Sequence, residues 1–424
     1  MKILVVGSGG REHALVWKFL QEAGVSEVIC APGNAGIAAD VRCPPIAPTD
    51  VNGLVDLARG EDVALTVVGP EAALERGVAD AFRSEGLVLF GPTREAARLE
   101  TSKAFAKHLM ALARVPTARY RVADSREQAY EAIDELGGQV ALKADGLAGG
   151  KGVIVALSGD EARVAVDDLM VHRKVGDAGR TLVVEERLEG PEVSFFALAD
   201  GDRAIPLMSA QDHKRAQDGD RGPNTGGMGA FSPSHLVTPT VEAQIMAEIV
   251  APVVEAMREQ GKPFCGFLYA GLMLTADGPK VIEFNVRLGD PEAQVVLPRV
   301  KTNLSQVLLA AATDGLPRGQ TIEASGEPRV GVVLASGGYP GHVEVGRPIE
   351  GLDEAARLED IVIFHAGTRR EAGRIVTSGG RVLTIVGQAP DIRGAIARAY
   401  RGVDAIRFEG MHVRRDIGAT AIGQ

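Results

Sequence analysis

Lys280-Val281-Ile282-Glu283-Phe284-Asn285-Val286-Arg287-Leu288-Gly289-Asp290-Pro291-Glu292 is the stretch on which the reading of this chain turns. Val281, Ile282, Phe284 and Val286 favour a β-strand. Side chains two apart on a strand share a face, so Glu283, Asn285 and Arg287 line one side together. Two oxygen donors and a guanidinium in a row suit a magnesium ion beside an anion. Mg²⁺ prefers carboxylate and amide oxygens plus substrate phosphates, and Arg grips carboxylates and phosphates with a rigid fork. The competing interpretation is a solvated strand face with one salt bridge, because exposed faces alternate in the same way.

The rest of the chain bounds the answer. At 424 residues it is too long for one core. Hydrophobic residues make up 45% and charged residues 24%, which places it with soluble globular proteins. A net charge of −10 argues against nucleic acid or an anionic membrane as partner. Cys30, Cys43 and Cys265 form no CxxC pair, which fits a reduced, cytoplasmic protein without structural zinc. The apolar start 1–7 is too short for a signal peptide, and 264–274 is too short to span a bilayer.

Residues 2–7 read as a buried strand followed by a Gly turn and a helix near 11–23. The runs 63–70 and 87–92 end in Gly-Pro. Strands alternating with helices predict a parallel α/β sheet over 1–100. Its ligands belong beyond the carboxyl ends of the strands, where Gly7, Gly33, Gly69 and Gly91 fall. A helix is expected over 101–113, strands and helices over 119–190, a long Gly-, Asp- and Arg-rich loop over 211–230, and a helix near 239–260. A hairpin turning at Asp277-Gly278 follows. From about 328 the pattern is that of a small α+β module, with strands at 329–335, 361–366 and 381–386 and a helix near 391–403. The fold class is α/β multidomain.

Gly7-Ser8-Gly9-Gly10-Arg11-Glu12-His13 opens like a dinucleotide fingerprint, but Glu12 stands where that pattern wants its third glycine. The turn still offers amides at a helix start, enough for a phosphate. The loop Asp145-Gly146-Leu147-Ala148-Gly149-Gly150-Lys151-Gly152 lacks the Ser or Thr of a P-loop. Gly149 and Gly150, flanked by Lys143 and Lys151, make it a phosphate-covering flap or else a plain hairpin turn. Glu192, after the strand 182–186, is a candidate for ribose hydroxyls.

Together these segments resemble the ATP-grasp superfamily, and within it the phosphoribosylamine–glycine ligase (glycinamide ribonucleotide synthetase) family. The resemblance runs end to end. It rests on 7–14, on Val68-Gly69-Pro70-Glu71, on 142–153, on Asp212-His213-Lys214-Arg215, on Gly222-Pro223-Asn224-Thr225-Gly226-Gly227-Met228-Gly229 and on Arg287-Leu288-Gly289-Asp290-Pro291-Glu292-Ala293-Gln294. Leu288 replaces the family's usual Phe. The resemblance implies an N-terminal domain (1–100), a two-lobed ATP-grasp domain (101–327) whose mobile flap lobe is 119–190, and a C-terminal domain (328–424). It implies a cytoplasmic monomer that uses ATP and Mg²⁺ or Mn²⁺ to join glycine to 5-phosphoribosylamine in purine (IMP) synthesis.

By the same resemblance Lys103 and Lys143 hold ATP phosphates, Glu185 and Glu186 lie at the adenine edge, Glu192 binds ribose, and Glu283 and Asn285 bind the metal. Arg287 is a candidate for substrate carboxylate or phosphate. Asp212 and Lys214 lie in a loop expected to touch substrate, and Asp212 and Asp290 are alternative general bases. Many grasp enzymes carry one more metal-binding acid on the preceding strand. Here 267–275 has no carboxylate, so the number of ions stays open. The alternatives are another ATP-grasp carboxylate–amine ligase or carboxylase, an ATP-binding regulatory module, and, resting only on the first Gly turn, a dehydrogenase.

Overall fold

Ile3, Leu4, Val5 and Val6 are all fully buried, yet alternate residues enter two different cores. Ile3 and Val5 pack with Leu15 and Phe19 of helix α1 (Gly10–Leu20), whereas Leu4 and Val6 pack with Leu54 and Phe82. A strand covered on both faces reads as a continuous apolar run, which is what a parallel sheet demands. In the computed structural model, which describes residues 1–147 and 152–422, β1 (Lys2–Gly7), β2 (Glu27–Pro32), β3 (Leu65–Val68) and β4 (Leu89–Phe90) form that sheet in the order β2-β1-β3-β4. Gly7 ends β1, and Gly33, Gly69 and Gly91 directly follow the other three strands.

A second sheet is antiparallel, in the order β5-β8-β6-β7: β5 (Tyr120–Ala123), β6 (Val140–Ala144), β7 (Val153–Ala156) and β8 (Leu182–Glu186). It has its own core, including Ile133, Leu142 and Val184, separate from those of the rest of the chain. Each such side chain contributes about 1.5–3 kcal/mol on burial, so this lobe is held together independently of its neighbours.

The third sheet joins regions that the sequence separates. It takes β9 (Glu192–Asp200) and β10 (Ala204–Asp212) from the region after the flap lobe. The segment expected as a 211–230 loop is largely paired instead. β11 (Arg215–Gln217) and β12 (Arg221–Asn224) form a ribbon, and β13 (Gly229–Ser232) lies beside β10. Gly and Asp suppress the strand signal here. Gly229 is needed, because a Cβ there would lie 2.7 Å from the Gly331 carbonyl oxygen. β14 (Cys265–Thr275) and β15 (Gly278–Asn285) make the expected hairpin, and β16 (Arg329–Ala335) pairs with β13.

The C-terminal module adds β17 (Ile361–His365), the ribbon β18 (Thr368–Glu371) and β19 (Arg374–Thr377), and β20 (Arg381–Gln388). The resulting order is β15-β14-β9-β10-β13-β16-β20-β17, one eight-stranded sheet across residue 328. The ribbon was hidden by its charged Arg369-Arg370-Glu371 run. The N-terminal and C-terminal modules also meet directly. The His365 N–H donates to His13 Nδ1 at 2.8 Å, and Asn34 Nδ2 donates to the His365 carbonyl at 2.8 Å. Burial pushes both imidazoles down, to about 3 for His13 and about 4 for His365, so both stay neutral in this contact.

Candidate functional site

Helix α2 (Lys103–Leu112) starts at the root of the flap. Ser102 caps it, accepting from the Phe105 N–H, and Asp145 accepts from the Ala104 N–H at 3.1 Å and from the Ser102 hydroxyl at 3.3 Å. Asp145 therefore ties the flap to the turn that carries Lys103. From β6, Lys143 reaches across to the other lobe and donates to the Ile282 carbonyl at 2.7 Å. Its ammonium also lies 2.9 Å from Glu185 Oε1. Gly149, Gly150 and Lys151 lie outside the described residues.

Glu185 and Glu186 part company. The Glu185 carboxylate turns inward and is buried between Lys143 and Lys107, the latter 2.8 Å from Oε2. Glu186 faces out and accepts from Arg119 N–H at 2.9 Å and from Arg119 Nε at 2.6 Å. Any contact of Glu185 with an adenine is thus left to its backbone. Lys107 was not singled out from the sequence, although it follows Lys103 by four residues and helical neighbours at that spacing share a face.

On β15, Glu283 pairs with Gly271 and Asn285 with Tyr269. Gly271 offers no side chain where another acid could stand. Burial opposes ionisation of Glu283, but the charges of Lys214, Lys103, Lys143 and Arg287 outweigh it and hold its carboxyl below the usual range. Among the described residues no group of three or more His, Cys, Asp or Glu side chains is placed to hold a metal. The donor set is the Glu283 carboxylate and the Asn285 amide, in the positive field of those four side chains. That fits a hard ion which takes its other ligands from phosphates and water.

Beside it lies an acidic cluster. Lys214 Nζ is 2.6 Å from Glu192 Oε2, so the candidate ribose ligand is engaged by a lysine. Asp212, the last residue of β10, has its pKa raised to about 7. Burial is the main cause; Lys214 pulls it down while Glu292 and Glu192 push it up. Glu292 is buried and accepts from the Tyr269 hydroxyl at 2.9 Å, with Ser194 Oγ at 3.3 Å. Asp290 contrasts with Asp212. Burial would raise it, but Arg381, Arg11 and the Gln294 amide at 2.8 Å hold it low. Arg287 is held between two carboxylates, Glu71 Oε2 at 3.2 Å from Nε and Glu100 Oε1 at 3.0 Å from Nη2. Glu71 ends one of the segments that carry the family resemblance, whereas Glu100 and Tyr269 stood in none of them.

A cavity of about 340 Å³ opens at the ends of β1 and β2, lined by Ser8, Gly33, Asn34, Asp290, Ser378 and Arg381 among others. Arg381 also donates to the carbonyls of Gly226 and Asp290. Glu12 fills the crest of the first Gly turn. It accepts from the Gly9 N–H at 2.5 Å, and a Cβ on Gly69 would lie 1.8 Å from Glu12 Oε1. Glu12 therefore takes the Gly9 amide that a pyrophosphate would need at this turn, which removes the physical basis for the dehydrogenase reading.

Family models match most of the chain: the phosphoribosylglycinamide synthetase N domain at 1–100, its ATP-grasp (A) domain at 101–293 and its C domain at 329–420. The chain belongs to the phosphoribosylglycinamide synthetase family. It is 49% identical to the phosphoribosylamine–glycine ligase of Pseudomonas aeruginosa, covering 100% of this chain and 99% of the relative. Identity is 50% to that of Xanthomonas axonopodis pv. citri, with the same coverage. The crystal structure of phosphoribosylamine–glycine ligase from Thermotoga maritima superposes with a TM-score of 0.84 at 34% identity, covering 98% of this chain and 100% of that one. The biotin carboxylase domain of Hydrogenobacter thermophilus 2-oxoglutarate carboxylase, solved with MgADP, matches at TM-score 0.74 and 20% identity, covering 97% and 91%. That likeness shows the fold alone. The synthetase family's central domain is an ATP-grasp domain, which implies ATP as a substrate. No described helix is long and apolar enough to cross a membrane.

Proposed function

We propose that this chain is a carbon–nitrogen ligase that joins glycine to 5-phosphoribosylamine at the expense of ATP, giving glycinamide ribonucleotide, ADP and phosphate in purine synthesis. The observation that carries the reading is the positive charge of Lys103, Lys143, Lys214 and Arg287 acting together on the buried Glu283, next to the Asp212–Glu192–Glu292 cluster. The cations suit a triphosphate, and the acids suit amines. We take the protein to be a cytoplasmic monomer.

A glycine carboxylate is a poor acceptor for an amine, because oxide would have to leave. One carboxylate oxygen attacks the γ-phosphorus, ADP departs, and a glycyl phosphate forms. The ribosylamine nitrogen then attacks the carbonyl carbon, phosphate leaves, and the nitrogen loses a proton. Lys103 and Lys143 hold the phosphates, at a place from which water must be kept because an acyl phosphate hydrolyses. Glu283 and Asn285 would hold Mg²⁺ or Mn²⁺, which would supply positive charge to offset that building on the transferring phosphoryl group. Lys214 and Glu192 meet the ATP ribose and reacting groups, and Arg287 lines the same face. The cavity beside Asp290 takes the phosphoribosyl end, with Arg381 as its cation.

Two carboxyls whose environments push their pKa values apart divide the acid–base work. Asp212, near 7, suits the proton acceptor, whereas the low Asp290 suits orienting a neighbour. Activity is therefore expected to rise with pH through about 7 as Asp212 ionises. Asp212→Asn should flatten that limb and cost roughly 10²–10⁴-fold in kcat. A mutant profile that keeps the limb would remove Asp212 from this role. The function itself is tested by incubating the protein with ATP, glycine and 5-phosphoribosylamine. One ADP per glycinamide ribonucleotide is expected. ATP turnover independent of glycine, with no ribonucleotide formed, would favour another ATP-grasp activity.

A further inference from the structure

Glu185 holds two ammonium groups at once. Lys107 Nζ lies 2.8 Å from Oε2 and Lys143 Nζ 2.9 Å from Oε1, and all three side chains are almost wholly buried. Lys107 is fixed further by the Thr117 hydroxyl at 2.7 Å and lies 5.4 Å over the Tyr120 ring. Thr117 in turn donates to the Val281 carbonyl at 2.7 Å, one residue from the Ile282 carbonyl that Lys143 bonds.

Three buried charges are a poor way to stabilise a fold. Desolvation costs several kcal/mol per ion, and apolar side chains of similar volume commonly do as well. Charge counting supplies another reason. A Lys143–Glu185 pair alone would be neutral and would offer little to an anion. With Lys107 sharing the same carboxylate, the trio carries one net positive charge. Glu185 can then aim the Lys143 ammonium without cancelling it.

We propose that Lys107 is a positioning residue for nucleotide binding, which sets the charge and direction of Lys143 through the shared carboxylate of Glu185. The proposal rests on the reading that Lys143 meets ATP phosphates. It goes beyond that reading in assigning Lys107, whose side chain is buried away from solvent.

The test compares steady-state kinetics of the full chain for Lys143→Met, Lys107→Met, Lys107→Arg and the double variant Lys107→Met/Glu185→Gln, with a thermal melt of each. Lys107→Met is expected to raise the ATP KM at least tenfold, with a smaller change in kcat. The double variant restores one net charge, and its ATP KM should return to within about threefold of the parent. Lys107→Arg keeps the charge and should stay near the parent. A double variant no better than Lys107→Met would mean that Lys107 serves packing alone, and would overturn the proposal. An unchanged ATP KM in Lys107→Met, beside a raised one in Lys143→Met, would overturn it while leaving the role of Lys143 standing. An unchanged ATP KM in Lys143→Met would remove the reading beneath it. Should Lys107→Met fail to fold, the double variant and Lys107→Arg decide by the same KM criterion.

Discussion

Glu283→Ala is expected to abolish ligase activity by at least about 10³-fold, some 4 kcal/mol of transition-state stabilisation, while the protein stays folded. The reasons lie in the geometry around β15. Glu283 is one of two oxygen donors on that face, and Gly271 opposite supplies no substitute carboxylate. With the acid gone, the amide of Asn285 would be the last side-chain oxygen of the pair. Lys214, Lys103, Lys143 and Arg287 would then crowd a site that has lost its anion.

Stability should change little, because β15 is an edge strand and its core-facing residues, Val281 and Phe284, are untouched. Glu283→Gln separates charge from shape. It keeps the volume and one oxygen, so activity recovered by raising Mg²⁺ or Mn²⁺ would point to weakened metal binding. The measurement is product formation across a metal titration, with circular dichroism as the control for folding. Full activity in Glu283→Ala would refute the metal role.

How far the sequence could be read depended on whether the signal was local. Alternation from Glu283 onward is a property of neighbours, so the strand face that carries Glu283 and Asn285 could be read directly, although a register shift between Val281 and Glu283 breaks the pattern before it. The parallel N-terminal sheet was equally legible, because burial on both faces leaves a continuous apolar run at 3–6. The 211–230 segment was not legible. Its pairing partners, β10 and β16, lie outside it, and its glycines serve close backbone approach rather than strand propensity. The same limit applied to the site. Lys143 was visible at a strand end, but its partner Glu185 points inward for a reason that only the fold supplies, the arrival of Lys107 from α2. Asp212 and Asp290 looked alike as acids in the sequence. Their surroundings, Glu192 and Glu292 for one and Arg381 and Arg11 for the other, make them different.

Arg287→Met should have the largest effect on stability, about 3–5 kcal/mol, because it strands the buried Glu100 carboxylate and takes the partner from the partly exposed Glu71. Glu100 Oε1 lies 3.0 Å from Nη2, and its other oxygen accepts from the Val286 N–H at 2.8 Å, so it cannot swing away to water. Burial already raises the pKa of Glu100, and Arg287 is the main charge pulling it back. Glu71, 3.2 Å from Nε, loses the same support. Without the guanidinium both acids favour the neutral form, so the penalty is a penalty on ionisation. It should be greatest above pH 7 and shrink as pH falls and the two carboxyls take up protons.

Urea unfolding of parent and variant from pH 8 to pH 5 measures that gap. A gap that stays constant with pH would mean the loss is packing rather than charge. Glu100→Gln added to Arg287→Met separates the structural role of Arg287 from contact with substrate. If the arginine only holds β15 against Glu71 and Glu100, the double variant should regain much of both stability and turnover. If its guanidinium also meets the glycine carboxylate or a phosphate, stability should return while the KM for glycine or ATP stays high. The second outcome is the one expected, because the charge of Arg287 contributes to the field that keeps Glu283 ionised.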